Sequence, residues 1–269
     1  MKQYSRLFTF GCSFTNHHWP TWANIMAYEL NVPLYNYGRS GAGNHYIFNS
    51  LIQADNFFNF TNDDLIMICW SNISREDRYK NEDWITPGNI YTQNVYDKSF
   101  IEKYADSNFF ALRDFALIKA SFNFLKNIGC DYFMFKMAEF DVLDTFSNIK
   151  IPIKYKQILH TYKPWLDKVA PSFFKILWNN DINNKFQQEK VDIGNNMKDG
   201  HPYLTEHLEY LKSVLNFKFS EKTNSIVNIY HEKIILRLKE ESKNVKNIEA
   251  WKMDWKDYYF NNSYKIKIF

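Results

Sequence analysis

A chain of 269 residues is long enough to bury a sizeable core as one large α/β domain or two small ones, and its 45% hydrophobic and 23% charged residues are a globular balance. A formal charge of +3 is too small to argue for nucleic-acid binding, and no stretch approaches the ~18 consecutive apolar residues of a membrane span. Cys12, Cys69 and Cys130 are widely spaced, fit no zinc pattern and read as buried reduced thiols.

The opening "MKQYSRLFTFG" lacks the apolar run of a secretory signal, so a soluble, cytoplasmic chain is expected. Tyr4 to Phe10 reads as a strand. Pro20 to Leu30 reads as a helix, since proline suits a first turn and Trp22, Ile25, Met26 and Leu30 form one apolar stripe. "VPLYNYG" gives a second strand, followed by the glycine-rich corner "GRSGAGN". Asn44 is placed to cap the next helix, whose Ile47, Phe48, Leu51 and Ile52 lie together. "LIMICW" (Leu65 to Trp70) is apolar without alternation, as a strand covered on both faces must be.

After a polar stretch, Phe109 to Lys126 predicts a strong helix with Leu112, Phe115, Ile118, Phe122 and Leu125 on one face. Gly129 stands where a stop is expected. "DYFMFKM" supplies a fourth strand. Such alternation predicts a parallel sheet with helices on both faces. Right-handed crossovers place all strand C-termini on one edge, where ligands bind in open α/β sheets.

From Glu139 to Lys198 the pattern weakens: "FFKILW" fits a strand or a short buried helix, and "NNDINNKFQQEK" reads as a surface loop. "HPYLTEHLEYLKSVLNF" returns to helix, with Leu204, Leu208, Leu211 and Leu215 on one side. Beyond it, Ile226, Tyr230, Ile234 and Leu238 sit four apart and predict an amphipathic extension packed on the domain's own flank or on another chain. The expected division is a main domain over 1–216, with a variable insertion at about 139–198, and a helical and aromatic extension over 217–269.

Four stretches fall on the ligand edge of such a sheet: Ser13 after the first strand, Gly41 after the second, Asn72 after the third, and "DGHP" (Asp199 to Pro202) before the late helix. A serine at a strand-to-helix corner has its N–H near a helix N-terminus, which favours an anion. A glycine N–H and an Asn amide can converge on that anion, and a histidine held by an aspartate can take the serine's proton. A nucleophile, a base, an orienting acid and three oxyanion donors are what acyl transfer needs. Each stretch alone has a plainer role as a cap or a turn. "GRSGAGN" lacks the Gly-Lys-Ser/Thr ending of a phosphate loop. His17 and His18 point different ways on most backbones and read as rim residues, not a metal pair, with His17 in reach of substrate. Arg75 and Arg78 flank the third stretch, either solvated or facing an anionic substrate.

In this order the stretches resemble the blocks of the SGNH (GDSL-type) hydrolase family, over roughly residues 5 to 215. "FGCSFT" resembles the first block and implies Ser13 as nucleophile. "NYGRSGAGN" resembles the second, whose glycine N–H serves the oxyanion hole, best matched by Gly41. "CWSN" resembles the third, whose Asn completes that hole, matched by Asn72. "DGHP" resembles the last, which carries the acid and the base, matched by Asp199 and His201. The resemblance implies a three-layer α/β/α, flavodoxin-like parallel sheet, with the helical extension added at its C-terminus. It implies ester hydrolysis with no metal or organic cofactor, and removal of O-acetyl groups from a carbohydrate as the favoured reaction. The implied partner is a small-molecule or carbohydrate ester, with no nucleic acid and no membrane. The extension leaves room for a homo-oligomer or a protein partner.

The departures bear on the site. Cys12 stands where the first block usually has Asp. Trp70 and Ile73 replace the glycine and aspartate of the third block, and a Trp beside the hole would narrow the site or stack on a sugar. Asp199 precedes His201 by two residues and not the usual three, which leaves a serine–histidine dyad or another carboxylate open. Further substrate contacts are expected from His17, Asn44, Trp70 and Arg75. Two other readings stand: an O-acyltransferase on the same residues, and a catalytically silent binding or assembly protein of this fold. The latter would be a carbohydrate-binding or virion-associated component.

Overall fold

The computed structural model describes residues 2–91, 95–142, 151–193, 199–216 and 218–242. In chain order it contains β1 (Arg6–Gly11), α1 (Trp22–Leu30), β2 (Leu34–Gly38), α2 (Asn44–Phe58), β3 (Asp64–Trp70), a hairpin of β4 (Arg78–Lys80) and β5 (Asp83–Ile85), α3 (Lys98–Tyr104), α4 (Ser107–Ile128) and β6 (Asp131–Lys136). Then come α5 (Ile153–Leu166), α6 (Phe173–Trp178), α7 (Ile182–Ile193), α8 (Leu204–Val214) and α9 (Glu221–Ser242).

The four long strands form one sheet in the order β2-β1-β3-β6, with every neighbouring pair parallel. β3 is buried along its whole length, as its unbroken apolar run requires. The chain steps outward from β1 to β2, then returns past β1 to β3. Right-handed crossovers therefore put α1 on one face and α2 and α4 on the other. The packing agrees: α1 meets α8 and α9, whereas α2 meets α4 and α4 meets α5. The fold is a three-layer α/β/α sandwich on a parallel sheet. Its strand order reverses between β1 and β3, and the crevice beyond their C-terminal ends is where ligands bind in such sheets.

On the α1 side, Trp22 meets Phe135 edge-on at 4.7 Å and Phe173 stacks on Tyr210 at 3.6 Å. All four side chains are fully buried, and each such ring contributes roughly 1.5–3 kcal/mol relative to exposure. Cys12, Cys69 and Cys130 are buried free thiols, as expected. Among the described residues no helix is long and apolar enough to cross a membrane.

Several elements depart from the sequence expectation. α1 begins at Trp22 behind Thr21, so Pro20 lies outside the helix. On α4 the buried stripe runs through Phe110, Ala111, Asp114, Phe115 and Ile118, and Leu112 is exposed. Polar Asp114 and Ser121 belong to that stripe, which shifts its centre away from the apolar reading. "FFKILW" is helical, capped by Ser172 Oγ accepting the Lys175 N–H at 3.0 Å. The expected surface loop after it is helix α7, whose buried side chains include Lys185 and Glu189. On α9, Val227, Tyr230, Ile234 and Leu238 are buried against the domain's own flank, and Ser220 ahead of it bonds Glu29 of α1 at 2.9 Å. The aromatic segment 251–269 lies outside the described residues.

Candidate active site

β1 ends at Gly11, and the chain turns at once because the Thr15 and Asn16 N–H groups donate to Cys12 O at 2.9 and 3.2 Å. Thr21 Oγ1 and Asn36 Nδ2 both donate to Thr15 O, at 2.7 and 2.9 Å, which pins the turn to β2. Ser13 sits on this turn. Because α1 starts only at Trp22, Ser13 is not at a helix N-terminus, and a helix dipole does not explain its position.

Far along the chain, Asp199 and His201 meet this serine. The Asp199 Oδ1 accepts the His201 backbone N–H at 3.0 Å and lies 2.5 Å from His201 Nδ1. His201 Nε2 lies 2.8 Å from Ser13 Oγ. The two-residue spacing works because an aspartate can accept the N–H two residues on, with Gly200 at φ +74 between them. Burial alone would raise the Asp199 carboxyl; the charge and hydrogen bond of His201 outweigh it and hold the group well below the usual carboxylate range.

Behind this loop stands α7. Glu189 accepts the Asp199 and Gly200 N–H groups, both at 3.2 Å, and is itself fully buried. Burial pushes its carboxyl up to about 7. Lys185, one turn earlier, is also fully buried and lies 4.0 Å from Glu189 and 2.5 Å from Glu206, with its ammonium 3.4 Å over the Tyr203 ring. Nothing in the apolar pattern of the sequence pointed to these residues.

The second strand's corner is braced by the segment carrying β4 and β5. Gly41 has φ +72, and a Cβ there would lie 2.1 Å from Thr86 O, so only glycine fits. Asp77 accepts the Gly43 and Tyr46 N–H groups at 2.8 and 2.9 Å. Arg39 pairs with Asp83 at 2.8 Å and also donates to Trp84 O. Asn72 lies two residues beyond β3, as Ser13 lies two beyond its neighbour β1. The Asn72 Oδ1 accepts the Ser74 N–H at 2.8 Å, which turns its NH2 end the other way.

Two expected substrate contacts, Trp70 and Asn44, are corrected by their surroundings, and a third, Arg75, has a structural partner as well. Trp70 is 0% exposed, so its ring neither narrows the site nor stacks on a sugar. Asn44 is also fully buried; it exchanges hydrogen bonds with Ser71 at 2.7 and 3.2 Å and donates to Asp114 at 2.9 Å, clamping α2 to β3 and α4. Arg75 donates to Ala42 O at 2.9 Å and braces the glycine corner.

His17 is not a rim residue. Its side chain is 8% exposed, its ring stacks on His201 at 3.9 Å and 18°, and its Nε2 is 3.7 Å from Asp199 Oδ1. Burial, then the facing His201 ring, push it well below the ordinary imidazole value, so it is neutral. His17, Asp199 and His201 have the composition of a metal ligand set. However, two imidazoles stacked nearly parallel cannot both aim an in-plane lone pair at one ion, and the set does not fit a metal.

A hydroxyl bonded to an imidazole, which is bonded in turn to a buried carboxylate, can lose its proton to that imidazole. No family model matches the sequence, and no curated protein does. Among solved structures, a member of the lipolytic G-D-S-L family from Veillonella parvula is 12% identical, over 76% of this chain and 93% of that one, with a TM-score of 0.39. A catalytic mutant of an acetylxylan esterase from Geobacillus stearothermophilus is 13% identical over 81% and 98%, with a TM-score of 0.42. A gut microbial diltiazem-metabolizing enzyme is 16% identical over 79% of this chain but 47% of its own, with a TM-score of 0.44. Likenesses this distant carry no weight for chemistry, which rests on the arrangement of Ser13, His201 and Asp199.

Proposed function

We propose that this chain is a serine ester hydrolase of the SGNH type, with Ser13 as nucleophile, His201 as general base and Asp199 as orienting acid. The observation that carries the reading is one unbroken hydrogen-bonded line, Oγ to Nε2 at 2.8 Å and Nδ1 to Oδ1 at 2.5 Å. His201 Nε2 takes the Ser13 proton as Oγ bonds to the ester carbonyl carbon, and the carbonyl π pair moves onto oxygen. The imidazolium then protonates the leaving alcohol as its C–O bond breaks, leaving acyl-Ser13. Water, deprotonated by His201, repeats the addition; collapse releases the acid and returns the proton to Ser13. The oxyanion donors in this reading are the Ser13 and Gly41 N–H groups and the Asn72 NH2.

The favoured substrate is an O-acetylated carbohydrate. A groove of about 490 Å³ is lined in part by Tyr79, Phe100, Tyr104 and Phe109 with Glu76 and Arg78, and by none of the residues of the catalytic line. Flat rings beside forked polar groups suit sugar rings and their diols. Asp77 lines the groove and also accepts the Gly43 N–H, which links it to the glycine corner.

The test is turnover of a small acetyl ester and an O-acetylated oligosaccharide by wild type and Ser13→Ala, beside covalent labelling with a fluorophosphonate. Hydrolysis and labelling are expected in wild type alone. A wild type no better than Ser13→Ala on every ester, and unlabelled, would overturn the enzyme reading in favour of a silent binding protein. Acyl transfer to an added sugar in place of acid release would move the chain to the transferases.

A further inference from the structure

The reaction above makes no use of His17, yet its ring stacks directly on the base. The His17 ring faces His201 at 3.9 Å and 18°, and Trp19 meets the His17 ring edge-on at 4.2 Å and 88°. Trp19 is fixed in turn, its Nε1 donating to Pro202 O at 3.0 Å, on the residue after His201. His201, His17, Trp19 and Pro202 therefore form a closed circuit of contacts around the base. Within it, His17 Nε2 is buried with no hydrogen-bond partner among the described residues, 3.7 Å from Asp199 Oδ1.

A buried unpartnered imidazole nitrogen is costlier than an apolar atom in the same place, so filling space is a poor account of the residue. A better one follows from the charge that the reaction creates. When His201 gains the Ser13 proton it becomes a cation, held against the Asp199 carboxylate and the His17 π face, with the Phe14 ring tilted beside it at 5.6 Å. A neutral ring face attracts a desolvated cation, whereas a charged ring would repel it. Burial and the neighbouring His201, His18 and His207 keep His17 neutral against the pull of Asp199.

We propose that His17 is a positioning residue for the base: its ring face holds the His201 imidazole in the line from Ser13 to Asp199 and stabilises the protonated ring in the transition state. This inference rests on the serine-hydrolase reading.

The test compares His17→Leu, which fills similar volume without a π face, with His17→Phe, which has a face and no nitrogen. Both are measured for kcat, KM and melting temperature. The downfield proton resonance of the His201–Asp199 hydrogen bond is followed by NMR without substrate, with Asp199→Asn as the blank. His17→Leu should fold, lose roughly 5- to 30-fold in kcat, the weight of a desolvated cation–π contact, keep its KM, and shift or broaden the resonance. His17→Phe should recover most of the kcat and the wild-type resonance. A folded His17→Leu with wild-type kcat and resonance would overturn the proposal, as would a loss in KM alone or a His17→Phe as impaired as His17→Leu. Should wild type hydrolyse no ester and resist the fluorophosphonate, the hydrolase reading fails, and an unmoved resonance in His17→Leu would show separately that His17 does not hold the ring.

Discussion

Gly200 and Gly41 share a left-handed backbone but differ in the room around them. A Cβ on Gly200 would meet Ile182 and Phe186 at 3.6 and 3.7 Å, ordinary contacts, so Gly200→Ala should cost only the conformational strain, about 1–2 kcal/mol. That variant should fold, melt earlier and lose turnover as Asp199 leaves its line. Gly41→Ala should do more harm, because Thr86 O stands 2.1 Å from the new atom; melting curves of the two variants check the order. Asn72→Ala should keep the fold and cut turnover by ~10²–10³, the effect of losing one oxyanion donor; unchanged kcat would remove Asn72 from the reaction. Asp199 also sets an acid limit on stability. Its folded pKa lies below the ordinary 3.8, so its contribution is present above that value and lost as pH falls through the folded value. Urea midpoints taken downward from pH 5 should fall more steeply for wild type than for Asp199→Asn. Ser13, Asp199 and His201 were picked out by the order of the four stretches and their resemblance to the family's blocks, and the three side chains meet in the fold. His17 was not: it stacks on His201, which lies far from it along the chain. Trp70 misled because it ends a strand wholly inside the core.

Helix α7 supports the site although none of its side chains need touch substrate. Glu189 satisfies two N–H groups of the Asp199–His201 loop, and Lys185 beneath it bridges to Glu206 at the start of α8. Removing one member of a buried ion pair costs roughly 3–5 kcal/mol. Glu189→Ala should fall at the low end, since Lys185 keeps Glu206. Turnover should drop further than stability explains, because the loop loses its anchor; urea unfolding beside kcat at a temperature where the variant is folded checks both. The strands were readable from unbroken apolar runs and from glycine-rich corners between them. α7 was not, because its buried face is charged: periodicity weighs apolar residues, and a lysine and glutamate four apart look like a solvated surface. The β4–β5 hairpin escaped for a related reason, being short and mostly exposed, although Arg39 and Thr86 make it a brace for the glycine corner.

At the scale of the molecule, the parallel sheet follows from the alternation of elements, and its order of reversal puts the turns after β1 and β3 side by side. The sequence left the seat of the amphipathic extension open between this domain and another chain, since a stripe on a helix does not name its partner. α9 lies on α1, α7 and α8. A chain ending at residue 216 should therefore uncover the surface now under Val227, Tyr230, Ile234 and Leu238, each contributing roughly 1.5–3 kcal/mol when buried. A lower melting temperature and aggregation in light scattering are expected; an unchanged melting curve would make the helix a passive tail. The separation of Ser13 from His201, 188 residues, has a consequence during synthesis. At ~5–20 residues per second the ribosome takes roughly 10–40 s to travel from one to the other. Throughout that interval the emerging chain carries Ser13 without His201, so on the proposed mechanism it should be inert toward esters until His201 has been added and the fold has closed.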